Sequence, residues 1–281
     1  AEDASGKGIK GLANVLIDNG TFVIDSADDA IHSNGNITIN GGTFTLATGD
    51  DGMHADTTLT INGGSIAIPT SYEGLESAVI TINAGDINLT ASDDGINVAG
   101  GTDGSGQMAG PGRGGRGQGG ETVAYSGNYF LYINGGTIMV NAEGDGLDAN
   151  GAIEMTGGLV VVNGPTGSGN GALDYDGTFN LSGGTLIAVG SAGMAQAPTT
   201  SSTQNSVLMG VGNQTAGTAI DIQNAAGESL LTFTPAKSFA TILFSSPDLA
   251  QGETYTLYLG GSEYGSYTQA SVVTTLGGQS R

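Results

Sequence analysis

Residues 37–46 read Ile-Thr-Ile-Asn-Gly-Gly-Thr-Phe-Thr-Leu, and residues 59–68 read Leu-Thr-Ile-Asn-Gly-Gly-Ser-Ile-Ala-Ile, so a near copy follows after 22 residues. In both stretches apolar and polar residues alternate on either side of an Asn-Gly-Gly turn, the signature of short strands. The marker returns at Ile133 to Gly136, and in weaker form at Ile82 to Gly85, Met155 to Gly158 and Leu181 to Gly184. A degenerate first coil begins near Gly8, with Val15, Ile17 and Asp18 where Ile37, Ile39 and Asn40 stand in the next. Repetition at such a period means stacked units, because 22 residues of short strand and glycine turn cannot bury their own apolar face.

The fold expected is therefore all-β: a right-handed parallel β-helix with coils of about 22 residues, forming a single domain over residues 1–281. Repeated coils occupy residues 1–195. Residues 99–126 interrupt them with a Gly/Arg-rich insert that contains Gly112, Gly114 and Gly117. That spacing matches a dinucleotide fingerprint without the strand and helix the fingerprint needs. Residues 196–281 lack the marker and are expected to form a β-rich closing region, with strands including Ala219 to Ile222, Leu230 to Phe233, Ala240 to Phe244 and Thr254 to Leu259. Such a region would cover the edge a solenoid leaves open.

Stacking gives each turn residue a vertical row. Asn40, Asn62, Asn83 and Asn134 share one, where side-chain amides hydrogen-bond along the stack. Thr38, Thr60 and Thr81 share another, and Tyr132 and Glu154 break it too early for an ice-binding array.

The same phase argument organises the acids. Asp50-Asp51-Gly-Met-His54 corresponds to Asp28-Asp29-Ala-Ile-His32, Tyr72-Glu73-Gly-Leu-Glu76, Asp93-Asp94-Gly-Ile-Asn97, Gly144-Asp145-Gly-Leu-Asp148 and Asn170-Gly171-Ala-Leu-Asp174. Paired strands lie about 4.8 Å apart. Carboxylates stacked at about 5 Å repel by roughly 3 kcal/mol per pair at an effective dielectric near 20. Protonating several at a solvent-reachable turn is costly, so bound cations are the expected relief. Oxygen ligands in numbers suit several Ca2+ ions, and the absence of Cys disfavours zinc. The ligands expected are Asp28, Asp29, Asp50, Asp51, Glu73, Glu76, Asp93, Asp94, Asn97, Asp145, Asp148 and Asp174, with Asp56 and Asp176 as weaker extensions. His32 and His54 are expected to hydrogen-bond within the corner.

Composition narrows the partners. Twenty-seven acidic and six basic residues give a formal charge of −21, which excludes a cationic face for nucleic acid or an anionic membrane. No segment approaches a transmembrane span, and the polar start Ala-Glu-Asp-Ala-Ser-Gly resembles the first residues of a mature secreted chain. A monomer in an extracellular or cell-surface setting is the expectation.

Asp-Asp-Gly followed by an apolar residue and a polar group, on a coil of about 22 residues, resembles the calcium corner of β-helical pectate lyases. Those repeats, the Gly/Arg-rich insert, and the ending Phe244-Ser-Ser-Pro-Asp-Leu249 with Gly252-Glu-Thr-Tyr-Thr-Leu-Tyr258 resemble the lyase-like, carbohydrate-binding β-helix family of bacterial surface proteins. The likeness extends over nearly the whole chain. It implies several bound Ca2+ ions and affinity for plant cell-wall polysaccharide, either cellulose or acidic chains such as polygalacturonate.

Three functions stay open at this level. A polyuronate lyase needs a positioned base beside its calcium. The basic residues are Lys7, Lys10, Lys237, Arg113, Arg116 and Arg281, of which Lys10 is the candidate base, and none is expected beside the strongest acidic corners. A non-catalytic binding protein needs no base and is the favoured reading, with Tyr72, Tyr129, Tyr132 and Tyr175 as possible stacking faces, each equally suited to packing. A structural spacer or adhesin would show no sugar affinity.

Overall fold

The computed structural model describes residues 6–99 and 128–277. Most of the Gly/Arg-rich insert, with Arg113 and Arg116, lies outside the described residues, as does Arg281. The described chain is built of strands, and no helix in it is long and apolar enough to cross a membrane.

Seven coils stack in parallel, each turning through three faces. The first coil contributes Ile9–Gly11, Asn14–Ile17 and Thr21–Ser26. Its successor contributes Ile31–Ser33, Asn36–Ile39 and Thr43–Thr48, paired residue for residue at a spacing of 22. In the third and fourth coils the first two faces are joined by the continuous strands Met53–Ile61 and Leu75–Ile82. The fifth coil spans the insert: Ile96–Val98 pairs with Leu75–Glu76 before it, and Phe130–Ile133 pairs with Val79–Ile82 after it.

Alternation puts every second residue inside. Ile31, Met53, Leu75, Ile96, Leu147 and Leu173 follow one another in register up the interior, all essentially without solvent exposure. Ile39, Ile61, Ile82, Ile133, Met155 and Leu181 form a second buried column. Because each coil lends its apolar face to the next, burial grows with the stack and not within a coil.

The turns obey the sequence reading. Asn62 donates to Asn40, Asn83 to Asn62 and Asn134 to Asn83, each at 2.8 Å. Asn40 donates to Asp18 at 2.7 Å, so the degenerate first coil still terminates the amide row. The second glycine of the marker needs its missing side chain: Gly64 has φ +105°, and a Cβ there would sit 2.9 Å from the Gly42 carbonyl oxygen.

The closing region extends and covers the stack. Phe239–Ser245 pairs antiparallel with Thr185–Gly190 of the last coil and with Ser206–Gln214, which in turn pairs with Val273–Leu276. A separate four-stranded antiparallel sheet, Ser229–Phe233, Ile220–Gln223, Thr254–Leu259 and Ser262–Thr268, shares a second apolar cluster with Val161, Ile187 and Val189 of the coils. That cluster covers the outward face of the last coils, while pairing with Phe239–Ser245 occupies the sheet edge.

Candidate functional site

Two columns meet at the corner before the first face. The acid column runs Asp29, Asp51, Glu73, Asp94 and Asp145, each accepting a backbone bond from the coil before it. Three positions on, Lys10, His32, His54, Glu76, Asn97, Asp148 and Asp174 follow one another in strand register. The phase count thus places these residues in the rows in which they stack.

Four of the five acids also have a structural task invisible in the repeat. Asp29 Oδ1 accepts from the Asp51 backbone N–H and Asp51 Oδ1 from that of Glu73, both at 3.3 Å; Asp94 Oδ1 accepts from that of Asp145 at 2.6 Å. Asp145 Oδ1 accepts from Gly171 N–H. The carboxylate of one coil therefore caps the turn of the next, where strand pairing leaves an amide without a carbonyl.

The corner is not the solvent-reachable turn that the repeat suggests. Asp29 is 0% exposed and Asp51 4%, because adjoining coils close over them. Protonation therefore competes with cation binding, and the two halves of the ladder resolve the repulsion differently.

In the first half, cationic side chains lie among the acids. Lys7, whose side chain is 3% exposed, reaches Asp28 at 3.1 Å and also binds Asp29. This corrects the expectation that no basic residue stands beside the acidic corners. Lys7 lies 22 residues before Asp29 and takes its place in the degenerate coil, a signal the phase count contains. His32 Nδ1 contacts Asp29 at 2.8 Å, and His54 Nδ1 lies 2.8 Å from Glu76 and 3.1 Å from Asp51. Burial opposes charge on His54, yet its hydrogen bonds to Asp51 and Glu76 and their charges raise its pKa to about 11. Burial, reinforced by Glu76 and Asp50, pushes the Asp51 carboxyl up to about 8. Burial also works to raise Glu76, but its hydrogen bonds to His54 and Asp51 outweigh that and hold it low. The arrangement is an imidazolium shared between a carboxylate and a proton-holding acid.

The second half has no such partner: among the described residues no ion pair joins Asp94, Asp145 or Asp148 to a Lys, Arg or His. One carboxylate oxygen from each of these three lies within 4.8 Å of the others. Burial and neighbouring acids push Asp148 up to about 9 and Asp94 up to about 7. Asp145 rises to about 6, chiefly through burial and against the bond from Gly171.

Two features make this rung fit a hard cation. Asn97, 8% exposed, donates through Nδ2 to Glu73 at 2.9 Å, while its Oδ1 is buried with no hydrogen-bond partner among the described residues. Gly144 keeps the space open: a Cβ there would lie 2.3 Å from Asp94 Oδ1 and 2.6 Å from Asp93 Oδ1. The donor set is all oxygen, as Ca2+ requires. Asp174 lies one coil further and accepts from Gln196 at 2.8 Å.

A family model described as "Carbohydrate-binding domain-containing protein" matches residues 1–52. The match spans the first two coils and ends just past Asp50 and Asp51. It supports a carbohydrate-binding role. No curated protein and no solved structure matches the chain.

The tyrosines divide accordingly. The Tyr175 hydroxyl donates to the Ala197 carbonyl and its ring meets Phe179 edge-on, so it packs the last coil. Tyr129 is partly buried against the core. Tyr132 is half-buried on an outer face beside Phe130, with ring centres 5.5 Å apart. Tyr264, 53% exposed in the closing region, is an aromatic face the repeat pattern gave no reason to choose.

Proposed function

We propose that this chain is a non-catalytic, extracellular carbohydrate-binding β-helix that recognises plant cell-wall polysaccharide, cellulose or polygalacturonate, and is stabilised by Ca2+ at its acidic corner. The observation that carries the carbohydrate reading is the family match over residues 1–52. Support for calcium comes from the Asp94, Asp145 and Asp148 rung, with Asp93 and Asn97 Oδ1 as further oxygen donors. Bound there, calcium would supply positive charge between acids that otherwise hold protons.

The absence of catalysis rests on where the bases lie. Lys7 is engaged by two carboxylates, Lys10 is exposed in the first coil, far along the stack from the all-oxygen rung, and Lys237, which reaches the coil of Asp145, is held by the Ala142 carbonyl and by Glu143 at 3.2 Å. A proton-abstracting lyase needs its base within hydrogen-bond reach of the metal-held substrate.

Retention on insoluble cellulose and on immobilised polygalacturonate, each with added Ca2+ or chelator, tests this while the liquid is assayed for unsaturated uronate. Retention without product is the expected result. Product release would make the protein a lyase, and passage through both polymers would leave a structural spacer.

A further inference from the structure

The closing region holds a cavity of about 210 Å3 between its two sheets. Met209, Val211 and Leu276 line it from the sheet that continues the coils, and Leu257 from the four-stranded sheet. Tyr264, Ser266 and Tyr267 also line it, and among the described residues no carboxylate, ammonium or guanidinium does.

Tyr267 is 8% exposed, and its hydroxyl has no hydrogen-bond partner among the described residues. That hydroxyl is itself closed off from solvent, so a molecule in the cavity does not reach it. Tyr264, by contrast, is 53% exposed and offers a ring face at the same cavity. Between them Gly265 leaves room, since a Cβ there would meet nothing within 4 Å.

We propose that this cavity seats one pyranose ring of a neutral polysaccharide. The inference rests on the carbohydrate-binding reading and names a place and a sugar class for it. A pyranose presents apolar C–H faces, which match the aliphatic walls and the aromatic face of Tyr264. The volume lies below the roughly 300–1,000 Å3 of sites for larger ligands, which limits the occupant to about one ring. A uronate is disfavoured, because no cation lines the cavity among the described residues and the chain bears a formal charge of −21.

Calorimetric titration of the full chain with cellopentaose, and separately with trigalacturonate, tests the proposal. The wild type is expected to bind cellopentaose, and Tyr264→Ala and Gly265→Leu to weaken it at least tenfold. Tyr267→Phe should leave it unchanged, because that hydroxyl is closed off from the cavity. Cellopentaose binding unchanged in both Tyr264→Ala and Gly265→Leu would overturn the proposal. So would cavity-dependent binding of trigalacturonate alone, or no cellopentaose binding by a wild type that polymer retains. Failure of the wild type to be retained on either polymer would instead defeat the carbohydrate-binding reading itself.

Discussion

Stripped of calcium, the protein is expected to lose stability steadily as pH rises from the ordinary aspartate value of 3.8 toward about 9, the reverse of ordinary acid denaturation. Asp51, Asp94, Asp145 and Asp148 all have folded-state values raised above 3.8, to about 8, 7, 6 and 9. Across that window the folded state holds protons that the unfolded state has released. Each such group lowers unfolding free energy by about 1.4 kcal/mol per pH unit while it is titrating. The stabilisation is therefore complete below the unfolded value and is lost as pH passes each folded value. Calcium should flatten the profile for Asp94, Asp145 and Asp148 by replacing their protons, adding about 2.7 kcal/mol when present at a hundredfold excess over its Kd. Melting curves at several pH values, with chelator and with calcium, show this directly. A chelated protein that melts higher at pH 8 than at pH 5 would contradict the raised values.

Replacing His54 by Ala is expected to cost about 3–5 kcal/mol, the penalty for leaving buried charges without their partner. The imidazole is 3% exposed and lies between Asp51, Glu76 and Asp56. Its folded value of about 11 exceeds the ordinary 6.5, so its contribution is full below 6.5 and disappears as pH rises through about 11. Adding Glu76→Gln to the His54→Ala variant should recover part of the loss, since one uncompensated carboxylate goes with it. Denaturant unfolding of both variants measures the two steps. A His54→Ala protein as stable as the wild type would show that the acids there do not depend on the imidazolium.

The coil was legible because strand alternation and the Asn-Gly-Gly turn repeat in phase, and the register of Ile39, Ile61 and Ile82 follows from counting. The columns of acids and of the residues three positions on were legible for the same reason. What counting did not convey is depth: Asp29 and Asp51 read as turn residues, yet neighbouring coils bury them and give their oxygens backbone amides to cap. Lys7 escaped because its coil has lost the Asp-Asp-Gly marker, although its offset from Asp29 is that of the repeat. The closing strands were partly legible, with Thr254–Leu259 found at its observed bounds and Phe239–Ser245 found one residue short at each end. The cavity beside Tyr264 and Tyr267 was not legible, because strands without a repeat carry no register from which to place them against one another.

Calcium titration of the wild type, beside Asp94→Asn/Asp148→Asn and Asp28→Asn/Asp50→Asn, tests most directly the claim that the second half of the ladder is the one that takes a hard cation. Asparagine retains an oxygen to cap the Asp145 amide, so the first variant loses charge while keeping its turn. The account predicts calcium binding by the wild type, its loss in Asp94→Asn/Asp148→Asn, and its persistence in Asp28→Asn/Asp50→Asn, whose rung is engaged by Lys7. No calcium binding by the wild type, or binding that survives the first variant and fails in the second, would contradict it.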